Sequence, residues 1–155
     1  MVLARSSERR FLMPTIKVFG IPASKCCALA GGTVVVPADD PMAMENWRKL
    51  LLELIKNIQV IVTAILQLPP DQVTVFFPAD LVQEGLGEEL VTEVCGLFDL
   101  PSRTNKVKKE LIEAIVLTLG NFVNGHLTQC QKVECYIAST VTPEACSMLE
   151  IQRDG

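Results

Sequence analysis

Two long aliphatic stripes constrain this chain more than any other feature. Leu50, Leu51, Leu54, Ile55, Ile58, Ile61, Val62 and Ile65 recur at helical spacing. They predict a helix from about Glu45 to Leu66, introduced by Asp39-Asp40-Pro41 and stopped by Pro69-Pro70. A second stripe of Val107, Leu111, Ile112, Ile115, Leu119 and Phe122 predicts a helix over Asn105 to Val123. Lys106, Lys108, Lys109, Glu110 and Glu113 form its wet side, and Asn124-Gly125 closes it. Setting Leu54-Ile55 over Leu111-Ile112 also sets Ile58 over Ile115, a faint internal repeat.

Short strand-like runs flank both stripes. Thr15 to Phe19 alternates and ends at Gly20, and Thr33 to Val36 is a second run stopped by Pro37. Val73 to Phe77 carries no charge, which predicts a central strand. Gly85 and Gly87 mark a loop, Leu90 to Phe98 a further strand, Asp99 to Thr104 a turn, and Lys132 to Ala138 the last strand. The order is strand, helix, strand, twice over. It predicts an α+β fold of two tandem βαβ units with right-handed crossovers. Together they form one four-stranded sheet with two antiparallel helices on one face. The other face is then bare, with Phe76, Phe77 and Cys95 nearby, and self-association is its expected cover.

Composition narrows the chemistry. With 155 residues, 49% of them hydrophobic and 21% charged, the chain reads as one ordered domain. Its net charge of −4 shows no basic stripe beyond the first ten residues, which argues against a nucleic-acid partner. A single histidine, His126, excludes a multi-histidine metal site, and neither metal nor cofactor is expected. Of the six cysteines, Cys26 and Cys27 are adjacent, while Cys95 and Cys135 fall in apolar runs. Reduced thiols packed as small hydrophobes are expected, in a cytoplasmic protein with no membrane contact. Residues 1–12, with Arg5, Arg9 and Arg10 against Glu8, lack the apolar run of a signal peptide. They are expected to be an extension: a clipped transit peptide, an unprocessed tail, or sequence upstream of the true start. The domain then spans 13–140, and 141–155 is a polar tail.

The segment Leu66-Gln67-Leu68-Pro69-Pro70-Asp71-Gln72-Val73-Thr74-Val75, with its preceding helix, resembles the helix-to-strand junction of the tautomerase superfamily. The passage through Gly85 and Gly87 into Val94-Cys95-Gly96-Leu97-Phe98 is similar to the link between halves in its two-unit members. Met13-Pro14-Thr15-Ile16-Lys17-Val18 resembles their characteristic start. The resemblance covers roughly residues 13–140. It implies proton transfer on a small keto or enol acid, catalysed by an N-terminal proline amine in a homotrimer. Burial would lower that amine's pKa by disfavouring its cation. Pro14 is the implied base, and Lys17 and Arg103 are the implied holders of the substrate carboxylate.

Three departures accompany the likeness. Pro14 is internal as written, and an amide nitrogen is not a base. Either Thr15–Phe19 or Thr33–Val36 could be the family's first strand. The family's arginine near the first strand–helix turn has no counterpart in Pro37 to Asn46, which leaves Arg103 in the second unit's turn. A non-catalytic, oligomeric interaction protein on the same fold is therefore the alternative. Bland roles compete residue by residue. Pro14 could simply start an edge strand, Lys17 face solvent and Arg103 sit on a helix surface. Asp39 and Asp40 suit capping, and His126 suits the end of its helix.

Overall fold

The computed structural model describes residues 14–22, 41–78, 89–127 and 130–141. Strand β1 (Thr15–Phe19) leads to helix α1 (Pro41–Leu66), a 3-10 turn (Pro70–Gln72) and strand β2 (Thr74–Phe76). Strands β3 (Glu89–Cys95) and β4 (Leu97–Phe98), helix α2 (Asn105–His126) and strands β5 (Lys132–Ile137) and β6 (Thr140–Val141) follow. The main sheet has the order β2-β1-β3-β5, and β4 pairs with β6 in a separate two-stranded ribbon. β1 runs parallel to β2, and β3 parallel to β5, so each half is a βαβ unit. β1 and β3 are antiparallel, joining the halves about a pseudo-two-fold and setting α1 antiparallel to α2. The α+β architecture expected from the repeated stripe is the one found.

Alternation decides which residues enter the core. Ile16 and Val18 of β1, and Leu90, Thr92 and Val94 of β3, point at the helices and are fully buried or nearly so. Leu54, Ile58 and Val62 of α1 meet Leu111, Ile115 and Leu119 of α2 in the same cluster. Trp47, nearly two turns into α1 from its exposed start and only 1% exposed, seals one end of this core. Its indole N–H donates to the Pro22 carbonyl at 2.9 Å, and its ring lies 5.8 Å from Phe122. Trp47 sits seven residues before Leu54, on the same helical stripe.

The ends of α1 have local causes. Gln67 takes the left-handed conformation (φ 55°) and the Leu68 amide donates back to the Thr63 carbonyl at 3.0 Å. That is a Schellman closure made without glycine, and Pro69 and Pro70 then forbid further helix. At its other end α1 begins at Pro41, four residues earlier than the apolar stripe suggests, since proline suits a first helical turn. Thr104 caps α2, its hydroxyl accepting from the Val107 amide at 3.3 Å.

Four local expectations give way. Val73 to Phe77 yields an edge strand, not a central one: among the described residues β2 has only β1 beside it, and Phe76 is half exposed. The strand expected over Leu90–Phe98 breaks at Gly96 (φ 66°), which turns the chain from β3 into β4. Helix α2 runs through Asn124-Gly125 to His126, because the Leu127 amide still finds the Val123 carbonyl at 2.9 Å. Part of the tail forms β6. Thr33–Val36, Asp39, Asp40, Cys26, Cys27, Gly85 and Gly87 lie outside the described residues.

The face of the sheet turned from the helices is more polar than expected. Phe76 and Cys95 lie on it, but Phe77 packs against the core instead. Across β1, β3 and β5 it carries Lys17, Glu89, Glu93, Lys132, Glu134 and Tyr136, with Phe19 and Val91 between them.

Candidate functional site

Proline has no N–H, so at the head of a strand it forfeits no ladder bond. Pro14 occupies that position before β1 and is buried. Its carbonyl accepts the Thr74 amide at 3.3 Å, tying the start of β1 to the start of β2. Thr15 pairs with Cys95, so the antiparallel register sets Pro14 beside Gly96. The Gly96 amide donates to the Ser139 hydroxyl at 3.3 Å, and the chain passes directly into β4.

Arg103 enters the same end of the sheet from the turn before α2. The turn is closed by its own amide, which donates to the Leu100 carbonyl at 2.9 Å. The guanidinium folds inward, donating from Nη1 to the Phe98 carbonyl at 3.1 Å, and the residue is 5% exposed. Burial pulls its pKa below the ordinary arginine value, although a guanidinium stays charged at neutral pH. Arg103 therefore holds the β4–α2 turn, with its guanidinium at the Phe98 carbonyl two residues beyond Gly96.

Lys17 is placed differently. It stands three positions after Pro14, and the two-residue period of a strand puts the two side chains on opposite faces. Pro14 follows Ile16 and Val18 towards the helices, whereas Lys17 is on the open face. There the register forms a row of Phe76, Lys17, Glu93 and Tyr136 across four strands. Pro14 thus lies beside Gly96 and Arg103 reaches Phe98, two residues further along the chain, whereas Lys17 is on another face.

The open-face row is what the sequence reading missed. Tyr136, the chain's one tyrosine, donates its hydroxyl to Glu93 Oε1 at 2.6 Å. That bond, followed by partial burial and the carboxylate's charge, raises the tyrosine pKa. Next to it Lys132 bridges Glu134 at 2.6 Å and Glu89 at 3.3 Å, and these hydrogen bonds raise its own pKa. Alternation of Lys132, Glu134 and Tyr136 along one run was the available signal. The row offers an acceptor, a donor and a cation within one patch.

Of the thiols, Cys135 packs against the core and burial pushes it up to about 12. It is therefore protonated near neutrality. Iodoacetamide at pH 8 is expected to leave Cys135 unmodified in the folded protein and to label it once urea unfolds the chain. Rapid labelling of Cys135 under native conditions, read by peptide mass, would refute its burial. Among the described residues no group of three His, Cys, Asp or Glu side chains could hold a metal ion. No helix among them is long and apolar enough to cross a membrane.

Neither a family model nor a curated protein sequence matches the chain. Solved structures do. The F6 fused 4-OT wild-type asymmetric trimer aligns with a TM-score of 0.51 at 14% identity, covering 86% of this chain and 91% of that one. The Q0 fused 4-OT wild-type symmetric trimer gives 0.51 at 13% identity, covering 86% and 90%. Native fused 4-OT gives 0.50 at 16% identity, covering 86% and 91%. Identities this low speak for architecture and not for activity. With its two antiparallel βαβ halves, four-stranded mixed sheet and paired helices, the chain has the tautomerase-superfamily fold.

Proposed function

We propose that the chain, once it begins at Pro14, transfers a proton between carbon and oxygen of a small keto or enol acid, with the Pro14 amine as base. The observation that carries this reading is the burial of Pro14 at the head of β1 in this fold. A secondary amine there sits in surroundings that disfavour its cation, and the charge of Arg103 at the same end disfavours it further. An amine left neutral near physiological pH accepts a proton and returns it without a cofactor. Arg103, and over a longer range Lys17, supply the positive field for the substrate carboxylate. The test is ketonisation of phenylenolpyruvate by protein beginning at Pro14, beside the same protein with Pro14→Ala. Loss of most of the rate on substitution is expected; an unchanged rate would remove Pro14 from the chemistry.

The alternative keeps the fold and drops the catalysis. Met13 favours it: while Met13 is attached, the Pro14 nitrogen is an amide. In either case we propose a homotrimer, by likeness to the fused 4-OT trimers, with the open face of the sheet covered by neighbouring subunits. Because that face carries Lys17, Glu89, Glu93, Lys132 and Glu134, contacts made across it would be partly ionic, and its association should weaken in salt. Light scattering is expected to give three times the 17.0 kDa chain mass at low salt, falling as salt rises. A monomer at micromolar concentration and low salt would contradict the assembly.

A further inference from the structure

Where α1 and α2 lie side by side, their outer edges do not close completely. A cavity of about 420 Å³ remains between them, remote from the open sheet face. Leu54 and Phe122, both buried, contribute its floor. Glu53 and Asn57, one helical turn apart on α1, contribute one wall. Asn121 and His126, near the end of α2, contribute the other. The volume lies within the range of pockets that take small molecules, and an apolar floor with a few convergent polar groups is their usual make-up.

The charge of this groove is one-sided. Glu53 is its carboxylate, and among the described residues neither lysine nor arginine lines it. Lys49 and Lys56, about one turn on either side of Glu53, are exposed and form no ion pair with it. The side chains of Glu53, Asn57 and Asn121 make no hydrogen bond among the described residues, so their acceptor oxygens are uncommitted. Asn121 and His126 belong to the last turns of α2, where the helix carbonyls add partial negative charge. The Phe122 and His126 rings stack with centroids 4.9 Å apart and a 45° tilt, giving the end of the groove an aromatic wall. Acceptors, a carboxylate, a helix C-terminus and an aromatic surface all favour a cation over an anion.

We propose that the groove between α1 and α2 binds a small organic monocation, an ammonium group on an apolar body. The ammonium donates to Glu53 and to the carboxamide oxygens of Asn57 and Asn121. The apolar body rests on Leu54 and Phe122, beside the His126 ring. An anion is excluded by Glu53, and a neutral isostere binds without the charge-assisted bond. This site is separate from the end of the sheet that holds Pro14, and it does not depend on whether Pro14 is a base.

The test is a titration of the full chain with 2-phenylethylammonium, followed by amide shifts in two-dimensional NMR. 2-Phenylethanol and 3-phenylpropionate serve as the neutral and anionic probes of similar shape. Saturable shifts confined to residues 50–61 and 118–126 are expected with the cation, which should bind about fivefold or more tightly than the alcohol. Glu53→Gln, at an exposed position where folding is not at risk, should abolish that preference. Glu113→Gln, on the wet face of α2 outside the groove, should leave it intact. Absence of saturable shifts, equal binding of cation and anion, or a cation preference that survives Glu53→Gln would each overturn the proposal.

Discussion

Replacing Gly20 by alanine is expected to cost about 3–5 kcal/mol of folding stability, a large fraction of the roughly 5–15 kcal/mol a typical domain has. Gly20 ends β1 with φ +95°, a conformation that L side chains rarely adopt. Strain of that kind costs about 1–3 kcal/mol by itself. The larger part is steric: an added Cβ would collide with the main-chain carbonyl of Glu89 and crowd the Leu90 side chain. Since the obstacle is backbone, relief requires β1 and β3 to separate. Their pairing, Phe19 with Val91 through Thr15 with Cys95, is the ladder that joins the two βαβ units within the main sheet among the described residues. Urea denaturation of the variant reports the loss directly. A change below about 1 kcal/mol would show that β1 passes β3 with more room than the structure gives it.

The second large effect concerns the chain start. Protein beginning at Pro14 is expected to ketonise a simple enol acid at least about 100-fold faster than the full 155-residue chain. A positioned general base contributes a factor of roughly 10² to 10⁴, and an amide nitrogen contributes none of it. Among the described residues near the β3–β4 bend, Arg103 is a cation and Ser139 accepts the Gly96 amide, so neither replaces the amine as base. Specific proteolysis that removes residues 1–13 from the full chain should restore the fast rate. Equal rates before and after removal would leave the non-catalytic alternative in its place.

Much of the architecture can be read from particular residues. The recurrence of Leu54, Ile58, Leu111 and Ile115 predicts two helices facing one core, and the alternation of Ile16 and Val18 gives the buried side of β1. Strand order is harder, because it is a non-local choice. Val73 to Phe77 lacks charge, yet an edge strand can lack charge too when its open side carries a residue such as Phe76. Trp47 continues the first stripe seven residues before Leu54, but Glu45, Asn46, Arg48 and Lys49 surround it in the sequence and hide it among polar neighbours. Asn124-Gly125 suggests a helix end, although one further turn is available to any segment whose amides still find carbonyls.

The candidate site was legible only in part. Pro14 emerged from resemblance, since nothing in composition marks a proline as a base. The separation of Pro14 from Lys17 by three positions already implied opposite faces of a strand. Arg103 sits in a Pro-Ser-Arg-Thr turn that reads as surface, yet its guanidinium turns inward and donates to the Phe98 carbonyl. The Glu93–Tyr136 bond joins residues 43 apart in the chain, a distance that only strand pairing bridges.

The most direct measurement is titration of the Pro14 amine in protein that begins at that residue, followed by NMR with ¹⁵N-labelled proline. An ordinary α-amino group titrates near ~7.7. Burial at the head of β1 and the charge of Arg103 should bring Pro14 clearly below that value, and the ketonisation rate should rise with pH through the same midpoint. An amine that titrates at or above the ordinary value, or a rate profile indifferent to its midpoint, would contradict Pro14 as the base.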